Sequence, residues 1–272
     1  MEAVMDALVR RADAFEWEVG STPISRPSLV GYIIVAYLAS VWCITKLPQK
    51  TKDAVKSSRV FSVFVSAHSL LLCVGSLGLF VGGLVSCTDE YRRVKSLGWL
   101  VCREVVGGTA SGQIFYVSYW YYLSKYVELL DTMILAVKGK GLSFLHVFHH
   151  AVMPAMCWLW LQQMQSLQEI ALMTNTLIHV IMYYYYFECS RGRSPRWKKL
   201  VTLSQIIQFV FSFGMGAAYL VVRLSRRQAC SGEGSLLMNV LINAVFLALF
   251  TQFYNNKGNY AARKSRAGKK AE

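Results

Sequence analysis

Apolar residues along this chain gather in runs of about twenty, the length a helix needs to cross a bilayer at ~1.5 Å per residue. The runs predict membrane-spanning helices over roughly 29–47, 60–85, 112–137, 142–163, 166–188, 199–222 and 235–254. The fourth and fifth are joined by a very short turn near Gln165. No internal repeat, soluble domain or low-complexity linker interrupts them, so residues 1–272 read as one transmembrane domain. Residues 1–28 form an N-terminal segment ahead of the first span. Its first twenty positions carry Glu2, Asp6, Arg10 and Arg11 without an apolar stretch. A short interfacial helix is expected there rather than a cleaved signal peptide. The fold class is an all-α polytopic membrane protein of about seven transmembrane helices.

The polar residues that break the apolar runs are themselves periodic. Residues 142–150 read LSFLHVFHH, so His146, His149 and His150 stand at i, i+3 and i+4 on one helical face. Three ionisable side chains inside one span are costly unless they face a bundle interior or a wet cavity. The third span carries KYVELLDT, placing Lys125, Glu128, Asp131 and Thr132 on a second stripe. Lys125 and Glu128 can neutralise each other, which lowers the cost of burial. Asp131 and Thr132 need further partners, and a network towards the histidine helix would supply them. Asn175 lies one turn before His179 in the fifth span, with Tyr183 and Tyr186 continuing that face. The tyrosines also suit an aromatic belt at the membrane interface. Thr202, Gln205 and Gln208 give the sixth span a stripe of its own. Four consecutive helices with polar stripes in the same half of the membrane imply a shared internal cavity. His68, alone in the second span, reads as structural. Gly75, Gly78, Gly82 and Gly83 are positions where that span could loosen.

Composition agrees with this picture: 54% of residues are hydrophobic, 16% charged, and the mean hydropathy is +0.36. A net charge of +14 invites a nucleic-acid reading, but its distribution does not support one. Basic residues collect in alternate loops: Lys46 to Arg59, Lys138 and Lys140, Arg191 to Lys199, and a tail over 255–272. That bias places the C-terminus in the cytosol and, with seven spans, the N-terminus in the lumen. The basic loops suit an anionic, phosphate-bearing substrate as well as lipid headgroups. Lys269 and Lys270, followed by Ala271 and Glu272, resemble a dilysine retrieval signal of the endoplasmic reticulum.

Cys43, Cys73, Cys157 and Cys189 fall in or beside spans and read as packed thiols. Cys87, Cys102 and Cys230 fall in loops on the lumenal side, where disulfides form. The expected bridge is Cys102–Cys230, with Cys87 a competing partner for either. No metal-ligand spacing of cysteines or histidines appears.

The four polar elements carry a family resemblance. KYVELLDT, HVFHH, HVIMYYYY and TLSQIIQ resemble, in order, the KxxExxDT, HxxHH, HxxMYxYY and TxxQxxQ elements of the ELO family, the very-long-chain fatty acid elongases. The motifs span Lys125 to Gln208, and the seven-span layout extends the likeness over almost the whole chain. The resemblance implies six helices in a ring around a closed-ended acyl tunnel, with the first helix outside. It implies a 3-oxoacyl-CoA synthase of the endoplasmic reticulum membrane that joins a long-chain acyl-CoA to malonyl-CoA, releasing CoA and carbon dioxide. No cofactor or metal is implied. By this likeness His149 is the nucleophile, and His146, His150 and His179 position or polarise the thioesters. Lys125, Glu128, Asp131, Thr132, Asn175, Tyr183, Tyr186, Gln205 and Gln208 support them or bind substrate. The implied partners are membrane lipid, the ketoreductase, dehydratase and enoyl reductase of the elongation cycle, and a second copy of the chain.

Two other classes compete. A membrane di-iron desaturase or hydroxylase also uses HxxHH boxes, but two irons typically need about eight or more imidazoles and this chain has five histidines. A seven-helix transporter would show internal repeats or broken helices, and no such pair is present. A thiol mechanism through Cys157 is disfavoured because seven residues of helix separate it from His150 by roughly 10 Å.

Overall fold

The computed structural model describes residues 2–105, 108–226 and 229–268, which puts Lys269 and Lys270 outside the described residues. The chain forms helices α1 (Glu2–Asp13), α2 (Pro27–Lys46), α3 (Gln49–Ser57), α4 (Arg59–Val94), α5 (Gly98–Val101), α6 (Gln113–Val137), α7 (Phe144–Gln162), α8 (Gln168–Ser190), α9 (Lys198–Arg226) and α10 (Glu233–Gly268). Seven of these match the expected spans in order. Five (α2, α4, α7, α9 and the Glu233–Asn255 part of α10) are apolar enough to cross a membrane by hydropathy. The other two, α6 and α8, are as long but carry the densest polar stripes.

Helix packing closes into a ring. In order around it, α4 packs on α8, α8 on α9, α9 on α10, α10 on α7, α7 on α6, and α6 back on α4. α2 lies outside against α6 and α7. The outward faces are apolar and exposed, as at Tyr32, Val35 and Trp42 on α2 and Leu220, Val221 and Leu224 on α9. Water would penalise such surfaces; hydrocarbon does not.

Several boundaries differ from the sequence expectation. α4 runs unbroken through all four glycines to Val94, so Cys87 sits inside a helix rather than a loop. It ends on Lys95, whose left-handed backbone (φ 56°) lets its N–H return to the Tyr91 carbonyl. α10 continues helically to Gly268, past the expected start of the tail at 255. α7 starts where Ser143 Oγ accepts the His146 backbone N–H at 3.2 Å, a cap that satisfies one free donor of the first turn. Pro154 lies inside α7 and removes the N–H that would close on the His150 carbonyl.

At the end opposite the basic loops, three loops are tied together. Cys102 and Cys230 form a disulfide with their Cα atoms 5.2 Å apart, across 128 residues of sequence. The Ser166 N–H and hydroxyl both donate to the Ser231 carbonyl at 3.0 Å, and the Ser231 hydroxyl donates to the Gln163 carbonyl. The Arg103 N–H donates to Ser166 Oγ. These bonds fasten the α7–α8 turn to the α9–α10 turn and to the strand-like segment before α6. The N-terminal segment packs on the same end, where the buried Trp17 donates from Nε1 to Gln162 Oε1 at 3.1 Å. Cys157 is buried as expected, whereas Cys43 and Cys189 are exposed on the outer surface rather than packed. Cys73 is half-buried and directs its thiol to the Val180 carbonyl.

Candidate active site

The polar stripes of α6, α7, α8 and α9 do converge on one cavity, of about 180 Å³, in the half of the ring nearer the basic loops. That volume holds several waters or a small polar headgroup. α7 contributes all three box histidines. The His146 and His150 rings lie 4.5 Å apart, and His149 meets His150 at 5.1 Å, as one shared helical face requires. On its other side the His149 ring rests 4.9 Å from Phe246 of α10, which is itself packed against Phe209. Phe209, Phe250 and Phe253 make one wall apolar and aromatic, and the opposite wall is polar. Among the described residues no side chain hydrogen-bonds a ring nitrogen of His149 or His150, and His146 Nε2 is a sealed polar atom without a partner.

His179 faces the box from α8, its Nδ1 3.5 Å from Glu128 Oε1. The same oxygen accepts from Lys125 Nζ at 2.7 Å and from the Ser124 hydroxyl at 3.3 Å. Lys125 does not line the cavity. Its ammonium sits 4.0 Å above the Tyr121 ring, and the Tyr121 hydroxyl donates to Asn175 Oδ1 at 2.8 Å. Lys125 thus neutralises Glu128 from behind while Asn175 bridges α8 back to α6. The cation is satisfied by a carboxylate, an amide oxygen and a π face, a set that suits a dry interior.

Asp131 also lines the cavity, and its two oxygens are held by different helices. Oδ1 lies 2.9 Å from His68 Nε2 of α4, and Oδ2 accepts the Tyr183 hydroxyl of α8 at 2.7 Å. His68 is therefore not isolated, as the sequence suggested, but paired. Tyr183 is wholly buried, which excludes it from an interfacial belt. Tyr186 lines the cavity beside it. Thr132 turns the other way: fully buried, it accepts the Tyr37 hydroxyl of α2 at 2.8 Å and is absent from the cavity wall. Adjacent helical positions point about 100° apart, so the Asp-Thr pair divides between the interior and the outer helix. Thr202, Gln205 and Gln208 line the α9 wall, and Gln205 Nε2 reaches only the weakly accepting Met182 sulfur, at 3.4 Å.

Outside the sequence expectation, Ser143, Lys198 and the phenylalanines of α9 and α10 complete the wall, while His68 and Tyr121 stand behind it, against Asp131 and Lys125. His68 had a legible signal, an ionisable group in an apolar span. Tyr121 lies one turn before Lys125 on the same stripe. The phenylalanines carry no signal that separates them from ordinary core. Lys198 is exposed at the first turn of α9 and lines the cavity at its basic end. Among the described residues, no three His, Cys, Asp or Glu side chains group as metal ligands would.

The sequence model of the GNS1/SUR4 family (ELO) matches residues 22–268. A putative fatty acid elongase of Dictyostelium discoideum is 36% identical over 255 residues, covering 89% of this chain and 81% of its own. Fatty acid elongase sre1 of the same organism is 31% identical over 259 residues, 95% of this chain and 94% of its own. Very long chain fatty acid elongase 7 of Rattus norvegicus is 30% identical, covering 88% and 82% respectively.

Proposed function

The chain belongs to the ELO (GNS1/SUR4) family, and on that footing we propose that it is a condensing enzyme of fatty acid elongation, a 3-oxoacyl-CoA synthase. The observation that carries the reading is the convergence of His146, His149, His150 and His179 on one cavity with a neutralised carboxylate behind them. A di-iron oxygenase and a seven-helix transporter, the alternatives, draw no support from the family match.

The reaction divides into two steps. In the first, His149 attacks the acyl-CoA carbonyl; a C–N bond forms, the C–S bond breaks, and the CoA thiolate leaves and takes up a proton. Imidazole suits this role because it is a good nucleophile when neutral and a good leaving group once acylated. In the second, malonyl-CoA loses its carboxylate as carbon dioxide, and the electron pair remains as an enolate. Its carbon bonds the acyl carbonyl, the C–N bond breaks, and His149 is regenerated. No strong base is required, because decarboxylation makes the carbanion. What is required is orientation and donors for the developing oxyanion.

The remaining residues fit those needs. Glu128 faces Nδ1 of His179, an arrangement that leaves the other ring nitrogen for the cavity. His146 Nε2, without a partner among the described residues, and the Gln208 amide on the α9 wall are available to the two thioesters. Lys198 and the neighbouring basic loops suit the CoA phosphates. The tied loops at the far end suit a chain terminus that goes no further. The same reading places the protein in the endoplasmic reticulum membrane with a lumenal N-terminus and a cytosolic C-terminus. There it works with a ketoreductase, a dehydratase and an enoyl reductase.

The test is incubation of purified protein with labelled malonyl-CoA and a panel of acyl-CoAs, with products separated by chain length. The expected result is a 3-oxoacyl-CoA two carbons longer than its primer, with CoA and carbon dioxide released in equal amounts. Malonyl-CoA left intact across the whole panel would overturn the proposal.

A further inference from the structure

His68 stands on α4, separated from the histidine helix by α6 in the ring, and the two chemical steps above make no use of it. Its side chain is only 4% exposed, with the Phe64 ring stacked on it at 6.0 Å. His68 Nε2 stands 2.9 Å from Asp131 Oδ1, and as a carboxylate oxygen accepts, the imidazole tautomer with its proton on Nε2 makes this bond. The other oxygen receives the proton of Tyr183 at 2.7 Å. With a donor from a different helix on each oxygen, Asp131 has one orientation. Tyr183, having given its only proton to Asp131, has one hydroxyl direction. Its ring then meets His179 edge-on, with centroids 5.4 Å apart and planes at 89°. Glu128 holds the Nδ1 side of that same imidazole.

We infer that His68 is a positioning residue for the condensation step, fixing the His179 ring through Asp131 and Tyr183 while touching neither substrate nor His149. The inference rests on the proposed function. It distinguishes two ways of using a buried hydrogen bond. A strut between α4 and α6 would matter to stability alone, and its loss would lower both half-reactions together. A positioning bond acts on His179, which the inference assigns to the malonyl thioester, so its loss falls on condensation and spares acyl transfer to His149. Removing the donor while keeping an apolar side chain leaves Asp131 Oδ1 without its partner on α4, so the carboxylate is free to swing. Tyr183 then loses its fixed partner.

The experiment compares His68→Leu, His68→Gln and His68→Asn with the wild-type enzyme, each at equal amounts of monodisperse protein with the Cys102–Cys230 bridge intact. Glutamine places a terminal N–H near the position of Nε2, whereas asparagine is polar but too short. His68→Leu and His68→Asn should lower kcat by about 10- to 100-fold, the worth of one hydrogen bond to a charged group. KM for both thioesters should stay within about twofold, since ground-state binding is untouched. Labelled acyl-CoA alone should still label both variants. His68→Gln should recover most of the turnover. Wild-type kcat in His68→Leu overturns the inference. So does a joint loss of label and turnover that His68→Gln does not relieve. A wild-type protein that neither takes the acyl label nor consumes malonyl-CoA overturns the functional reading, and the inference with it.

Discussion

Lys125 Nζ stands 2.7 Å from Glu128 Oε1, one turn along the same helix, with 2% and 3% of the two side chains exposed. Lys125 is cut off from water and Glu128 meets only the internal cavity, so each charge is tolerable chiefly because of the other. Replacing one partner strands the other in a dry interior, at a cost of about 3–5 kcal/mol, whereas replacing both with apolar or neutral groups of similar size is far milder. Lys125→Met should therefore lower the unfolding midpoint in detergent more than the double variant Lys125→Met/Glu128→Gln does. Activity should be lost in both, because Glu128 orients His179. Additive effects of the two substitutions would mean that the pair is not energetically coupled.

His149→Ala should abolish condensation while leaving the protein folded, since the ring packs on Phe246 and is only partly buried. Incubation with labelled acyl-CoA and no malonyl-CoA should leave label on the wild-type protein and none on this variant. Substitution of His146, His150 or His179 should depress turnover without removing the label to the same degree. A His149→Ala enzyme with near-normal turnover would move the nucleophile elsewhere.

Periodicity made the stripes legible because a helix converts spacing directly into a shared face. His146, His149 and His150 needed no tertiary knowledge to be grouped, and neither did Thr202, Gln205 and Gln208. What periodicity does not carry is the direction of that face. Asp131 and Thr132 are neighbours in sequence and both polar, yet one turns to the cavity and the other to Tyr37 on the outer helix. The His68–Asp131 pair spans 63 residues, and nothing local to either residue encodes the meeting. Cys87 competed for a bridge only while it was placed in a loop; the longer α4 puts it on a helix, and it remains a free thiol. The apolar wall of Phe209, Phe250 and Phe253 is indistinguishable in sequence from lipid-facing phenylalanine. Which of the two it becomes depends on how α9 and α10 rotate against α7.

Condensation should survive strong chelators, and the purified protein should hold no stoichiometric iron or zinc. The expectation follows from five histidines, fewer than two irons need, and from carboxylates already committed to Lys125, His68 and Tyr183. Elemental analysis of active protein gives the answer directly. Inactivation by a chelator, reversed by one added metal, would restore the metalloenzyme reading.

The Cys102–Cys230 bridge closes a loop of 128 residues that includes α6, α7, α8 and α9. Constraining so long a segment in the unfolded chain stabilises by about 2–5 kcal/mol. Cys102→Ala/Cys230→Ala should lower the unfolding midpoint and leave kcat little changed, since the bridge lies at the opposite end of the ring from the histidines. Peptide mapping without reduction should recover the two cysteines in one linked fragment. Alkylation of both in native, unreduced protein would show the bridge to be absent.

Gly232 gives the sharpest test of how tightly that end is closed. Its φ is +74°, and a β-carbon there would stand 2.5 Å from the Gln165 Cα and 3.0 Å from the Gln163 carbonyl oxygen. The obstructing atoms are backbone, and the surrounding bonds from Ser231 and Ser235 to Gln163 leave them no room to withdraw. Alanine must therefore accept left-handed strain of about 1–3 kcal/mol and also push the α7–α8 turn off the α9–α10 turn. Gly232→Ala should destabilise the protein by at least as much as loss of the disulfide. Combined with Cys102→Ala/Cys230→Ala it should cost less than the sum, because both changes open the same joint. Thermal unfolding of the two variants and their combination measures this. A Gly232→Ala protein as stable as wild type would show that the two turns are not in backbone contact.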